Sequence, residues 1–237
     1  PPSGASGILI IDPATNTATV DAMGATFTGS DSWQEGVLAP NGKIYCVPRM
    51  SNDILIIDPV AGTASRSTMG ATISGSDKWS GGALAPNGKI YCAPMEATDI
   101  LIIDPAAGTA TRSTMGATLT GIYKWDGCTL APNGNIYCIP SHSTDVLVID
   151  PVANTATRTT FGLTLTGSDK WSGGVVAPNG KIYCIPASAA DVLIIDPVAN
   201  TATRNSFGLT ITGTFNWISG GMGPNGRIYC APGNATD

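Results

Sequence analysis

Residues 146–191 read VLVIDPVANTATRTTFGLTLTGSDKWSGGVVAPNGKIYCIPASAAD. The same 46-residue pattern fills 8–53, 54–99, 100–145 and 192–237, with no insertion or deletion between copies. A repeat of this period marks a propeller, a solenoid or an array. Units this similar should stack into one body, so residues 1–237 are expected to form one domain.

Within a unit, glycine and proline punctuate short runs of β-formers. Fifteen of the 17 prolines fall in three repeated columns, which fix the ends of strands. In the second unit the runs are Ile54–Ile57, Thr63–Thr68, Gly81–Ala85 and Lys89–Ala93. Four short strands per unit, separated by turn signals, predict an all-β repeat. No stretch keeps a 3.6-residue apolar period long enough for a helix. Asp58-Pro59 should open a turn, its carboxylate accepting backbone N–H groups while Pro presets φ. Pro86-Asn87-Gly88 should close a hairpin, with Gly88 supplying the positive φ. Ile54–Ile57 is apolar on both faces and needs cover on both sides. The Thr-rich run with Arg66, Arg112, Arg158 and Arg204 suits an outer edge.

These pieces, seen again as Gly173–Ala177, Pro178-Asn179-Gly180, Lys181–Ile185, Val192–Asp196 and Thr201–Ser206, resemble the blades of YVTN/NHL β-propellers. Five repeats resemble the tachylectin type in size only, since its motifs are absent. The usual YVTN/NHL propellers have more blades; the resemblance implies four antiparallel strands per blade, and the five repeats imply a five-bladed β-propeller. It implies no particular function, because propellers host many. The phase of the repeat predicts a ring closed by a shared blade, built from Ile8–Val20 and Ser219–Ala231. A solenoid is the alternative, although four strands per unit fit a propeller better. Pro1–Gly7 look like the tail of a preceding unit, Pro2 falling where Pro48 falls, which points to a longer precursor or a removed leader.

Composition excludes some functions. With 43% hydrophobic and 12% charged residues the chain is too apolar for disorder. A net charge of -5 argues against nucleic acid as a partner. Aliphatic runs such as Ile54–Ile57 are too short for membrane insertion.

The candidate ligand site is the loop entering each blade. It carries Trp33, Trp79, Trp125, Trp171 and Trp217, with Asp31, Asp77 and Asp169 and Lys78, Lys124 and Lys170. It should share one face with the variable connections Arg49–Asn52, Met95–Thr98, Ser141–Thr144, Ala187–Ala190 and Gly233–Thr236. Aromatic rings beside polar groups suit sugar faces. The expected function is therefore a non-enzymatic, multivalent, lectin-like module for carbohydrate or a similar surface polymer, in an extracellular or secreted setting. Trp wedged between blades is the alternative, in keeping with its usual burial. A structural or protein-interaction propeller, recently amplified or engineered, is the competing function.

Other columns read as structural. Cys46, Cys92, Cys138, Cys184 and Cys230 lack a second ligand at metal spacing, so no metal and no cofactor is expected. Blades about 10 Å apart exceed the ~7 Å reach of a disulfide, which leaves buried thiols. Cys128 replaces a glycine and should lie opposite Cys138, either as a free thiol or in a strained cross-strand disulfide. Asp12, Asp58, Asp104, Asp150 and Asp196 read as turn formers, as do Asp53, Asp99, Asp145, Asp191 and Asp237. His142 is the one histidine and sits in a variable loop, where a solvated role is commoner than catalysis. With every loop constant in length, no enzyme is expected. Asn234-Ala235-Thr236 fits a glycosylation sequon.

Overall fold

The computed structural model describes Pro2, residues 4–27 and residues 29–234. Ala235, Thr236 and Asp237 lie outside it, and with them most of the sequon and the last of the repeated aspartates. The described chain is all-β, with twenty strands and no helix long and apolar enough to cross a membrane.

Ile8–Asp12 (β1) and Thr17–Asp21 (β2) form a two-stranded sheet. The first full blade holds Trp33–Leu38 (β3), Ile44–Pro48 (β4), Ile54–Asp58 (β5) and Thr63–Ser67 (β6). The second holds Trp79–Leu84 (β7), Ile90–Pro94 (β8), Ile100–Asp104 (β9) and Thr109–Ser113 (β10). The third runs through Trp125–Leu130 (β11), Ile136–Pro140 (β12), Val146–Asp150 (β13) and Thr155–Thr159 (β14). The fourth runs through Trp171–Val176 (β15), Ile182–Pro186 (β16), Val192–Asp196 (β17) and Thr201–Asn205 (β18). Trp217–Met222 (β19) and Ile228–Pro232 (β20) end the chain as a second two-stranded sheet. Each full blade is an antiparallel meander, and successive first strands lie side by side around an axis. This is the propeller arrangement expected from the repeat.

The turns form as their residues dictate. Asp58 Oδ1 accepts from Val60 N and Ala61 N, at 3.1 and 2.9 Å. Asp12, Asp104, Asp150 and Asp196 do the same in their own turns. The core lies between blades. Between the first and second blades, Tyr45, Val47, Ile54, Met69 and Ile73 close on Trp79, Ile90, Leu101 and Ile103. The same packing recurs between the second and third blades and between the third and fourth.

The innermost strands explain the Gly-Gly column. Gly81 has φ +74° at a register shift in β7, and a Cβ there would lie 2.7 Å from Gly127 Cα of the next blade. The inner backbones are thus already in contact. That contact bears on ring closure, where the structure corrects the sequence reading. β1 pairs with β2 alone and β20 with β19 alone, so the chain ends do not share a blade. The turn from unit to unit is set by how successive inner strands and the apolar faces between blades stack, and at that turn five units leave β20 and β1 unpaired.

Candidate functional site

The loop that enters each blade does two structural jobs. Trp33, Trp79, Trp125 and Trp171 are buried and lie between blades. Each indole Nε1–H donates to a backbone carbonyl 20 residues on: Asp53, Asp99, Asp145 and Asp191 O, at 2.8–2.9 Å. An arginine of the outer strand covers each ring, Arg66, Arg112, Arg158 and Arg204 standing 5.3–5.5 Å from the centroids. The same arginines pair with Asp53, Asp99, Asp145 and Asp191. They also donate to a threonine carbonyl of the preceding loop, Thr26, Thr72, Thr118 or Thr164. Trp, Arg and Asp therefore lock each blade to the loop that leads into it. The four rings have no open face for a sugar, which corrects the stacking role expected for them. Trp217, in the terminal half sheet, is partly buried.

Lys78, Lys124 and Lys170 are buried as well. Lys124 Nζ donates to Met95, Ala97 and Gly121 carbonyls at 2.9–3.0 Å. Lys170 reaches the Ser141, Ser143 and Gly167 carbonyls, and Lys78 those of Arg49 and Gly75. Loss of solvation holds all three ammonium groups down at about 8. Their sequence-expected contact with an acidic ligand group is corrected too: they tie the entry loop to the second-to-third-strand connections.

What remains open to a ligand is where the units differ. One column of the entry loop reads Asp31, Asp77, Tyr123, Asp169, Phe215, every member at φ between +44° and +53°. Asp31 is exposed. Asp77 pairs with Arg49 (Nε–Oδ1, 2.6 Å). Asp169 Oδ1 lies 3.1 Å from His142 Nε2, and the His142 ring tilts against Tyr123 with centroids 5.4 Å apart. Arg49, Tyr123, His142, Asp169 and Phe215 line a recess of about 350 Å³ on this face. His142 is thus held by a carboxylate at a cavity wall, and not left as a solvated loop side chain.

Gln34 and Asp126 line that recess and also a second cavity of about 310 Å³ along the axis. In the axial cavity Asp126 accepts hydrogen bonds from Ser80 Oγ and from Ser172 Oγ, the latter at 2.8 Å. Glu35 Oε2 accepts from Gly82 N at 3.1 Å. Glu35 is exposed as a residue, but its carboxyl reaches into the axial cavity against Gly82; lost solvation there raises it above its ordinary 4.5, the Gly82 N–H opposes this, and the Asp126 charge adds to it. Sequence reasoning missed these residues. The signal was present: Gln34-Glu35, Asp126 and Cys128 interrupt the Ser-Gly-Gly that follows Trp79 and Trp171.

Cys128 faces Cys138 across β11 and β12, as the turn spacing predicted, and both are free thiols. Cys46, Cys92, Cys138 and Cys184 are buried, whereas Cys230, in the half sheet, is only partly so. Among the described residues no group of three or more His, Cys, Asp or Glu could hold a metal ion.

No protein-family model matches the chain, and no curated protein matches it in sequence. Its likeness is to solved structures. Virginiamycin B lyase from Staphylococcus aureus superposes with TM-score 0.70 at 16% identity, over 97% of this chain and 78% of that one. An auxiliary nutrient binding protein from Bacteroides ovatus gives TM-score 0.64 at 16% identity, over 94% and 61%. The extracellular domain of a one-component system from B. thetaiotaomicron gives 0.66 at 13%, over 96% and 32%. At these identities the likeness shows the fold alone. It supports propeller architecture without selecting the YVTN/NHL kind. It also overturns the exclusion of catalysis drawn from constant loop lengths: a lyase has a similar fold, and so do binding domains.

Proposed function

We propose that the loop face binds one small hydroxyl-rich ligand, a mono- or oligosaccharide or similar polyol, in the recess at His142. The observation that carries this reading is the recess itself, where Tyr123 and Phe215 stand beside Arg49, His142 and Asp169 and share the walls Gln34 and Asp126 with the axial cavity. Tyr123 and Phe215 supply apolar faces, while His142, Asp169, Gln34 and Asp126 supply donors and acceptors for hydroxyls. This differs from the repeated, multivalent site expected from the sequence. The repeated tryptophans are internal, and the side chains at the recess differ from unit to unit. An extracellular setting belongs to the same reading, supported by an extracellular domain among the similar structures.

A glycan array followed by titration of the best hit tests the proposal. Tyr123→Ala and Asp169→Ala should weaken binding about tenfold or more, equivalent to about 1.4 kcal/mol each. Stability should fall only modestly, by about 1 kcal/mol, since Ala at a positive φ is strained but no core packing is lost. An array without a hit, or variants that bind as the parent does, contradicts it.

A second reading places acid–base chemistry at the same recess. The observation favouring it is the His142–Asp169 contact, the arrangement in which a carboxylate orients an imidazole for proton transfer. Turnover of a bound ligand by the parent and its loss in His142→Gln, with binding retained, would support this. Binding without turnover would leave the simple binding function.

A further inference from the structure

β20 and β1 are each hydrogen-bonded on one side only. In every complete blade the strand equivalent to β20 takes a second partner, always in one register: Ile90↔Ile103, Tyr91↔Ile102 and Cys92↔Leu101 in the second blade, Ile44↔Ile57, Tyr45↔Ile56 and Cys46↔Leu55 in the first. β20 offers Ile228, Tyr229 and Cys230, and β1 offers Ile11, Ile10 and Leu9. The repeat thus specifies the pairs these edges lack.

The side chains tell the same story. Tyr45, Tyr91 and Tyr137 are enclosed by the following blade, but Tyr229 is 58% exposed. Tyr91 packs in a cluster with Ile100, Met115, Ile136 and Ile149. One repeat period further back twice over, Ile8, Met23, Ile44 and Ile57 line an apolar groove of about 340 Å³ beside β1. Leu9 and Ile11 are also exposed on that strand. Polar partners match as well. Lys43, Lys89 and Lys181 pair at 3.2 Å with Asp58, Asp104 and Asp196 of the neighbouring strand, and Arg227 and Asp12 hold the corresponding places. Asn41, Asn87 and Asn133 donate to Pro105, Pro151 and Pro197 carbonyls of the next blade. Asn225 and Pro59 stand in the same relation across the unpaired edges, and Pro59 lines the groove.

We infer that the β20 edge of one copy docks on the β1 edge of a second copy. Tyr229 enters the Ile8–Met23–Ile44–Ile57 groove, Arg227 meets Asp12, and a four-stranded blade forms across the two chains. A second copy is favoured over closure within one chain because β1 and β20 of one chain stay unpaired with the inner strands of all five units already stacked. An unpaired β edge with exposed apolar side chains is a ready template for strand addition. The contact is heterologous: each docked pair keeps one free edge of each kind, so association can continue.

The test is light scattering of the full chain over a wide concentration range, with hydrogen exchange on β1 and β20. Mass should rise with concentration, and the amides of both strands should become protected as it does. Tyr229→Ser should weaken association about tenfold or more. A synthetic peptide of residues 8–21 should compete for β20, lower the mass and protect β20 amides; it decides the matter even if the variant folds poorly. A single chain at all concentrations with both edges unprotected overturns the inference. So does a single chain with both edges protected, which would mean closure within the chain. Association that is indifferent to both Tyr229→Ser and the peptide would place the contact elsewhere and also overturn it.

Discussion

Arg112 lies over Trp79, its guanidinium carbon 5.4 Å from the ring centroid, while Asp99 binds both residues, the indole through its carbonyl and the arginine through its carboxylate. Residues from the first strand, the fourth strand and the connection that leads into the third are fixed in a single contact. Because the indole also seals the interface with the preceding blade, the contact couples strand pairing to blade stacking.

Replacing Trp79 by Ala should therefore destabilise the chain by about 3–5 kcal/mol, the range for a buried Trp whose cavity cannot collapse. Urea unfolding read by circular dichroism measures this. A change within 0.5 kcal/mol, the range of a free surface position, would mean that the ring does not hold the interface.

Glu35 makes a pH prediction. Its carboxyl is raised above its ordinary 4.5, chiefly by lost solvation. The native state then holds the proton over a window in which the unfolded state has released it. Stability from this group is full below the ordinary value and is lost as pH rises through the raised one. Glu35→Gln, which keeps an acceptor for Gly82 N–H, should be more stable than the parent above that window and equal to it below. Thermal melts from acid to neutral pH would show the two curves merging on the acid side; parallel curves would contradict the assignment.

Much of the fold was legible because turn chemistry repeats. Asp-Pro, Pro-Asn-Gly and the third proline column marked every strand to within two residues; the innermost strand opens at the Trp that the sequence reading left in the loop, as in Trp79–Leu84. Ring closure was not legible. It depends on the angle at which whole blades stack, a matter of packing between units that the turn motifs within a unit do not encode. The site was misread for a related reason. A Trp that recurs in all five units, with a Lys before it in three, serves the repeat itself, here the seal between blades and the tie between loops. Side chains free for a ligand lie where units diverge, at Gln34, Glu35, Tyr123, Asp126 and His142. That divergence was visible in the sequence, and counting departures from the repeat would have found it.

Thiol labelling separates the interior from the half sheet. Burial pushes the Cys46 thiol up to about 12 and raises Cys92, Cys138 and Cys184 as well. These four should resist a thiol reagent until the chain is unfolded, because the thiolate is the reacting form. Cys128, on the axial cavity, should label in the native state; Cys230, in β20, is only partly buried and should label in the dissociated chain, more slowly than a free thiol because burial raises it as well. Mass spectrometry of digested, labelled protein assigns each site. Prompt native labelling of Cys92 or Cys138 would show that the blade interfaces are open.

The central claim is a single recess of mixed side chains in place of five like sites. Calorimetric titration with the best array ligand tests it most directly. The account predicts one ligand per chain, abolished together by Tyr123→Ala and Asp169→Ala. Several equivalent sites per chain, or binding that survives both changes, would contradict it.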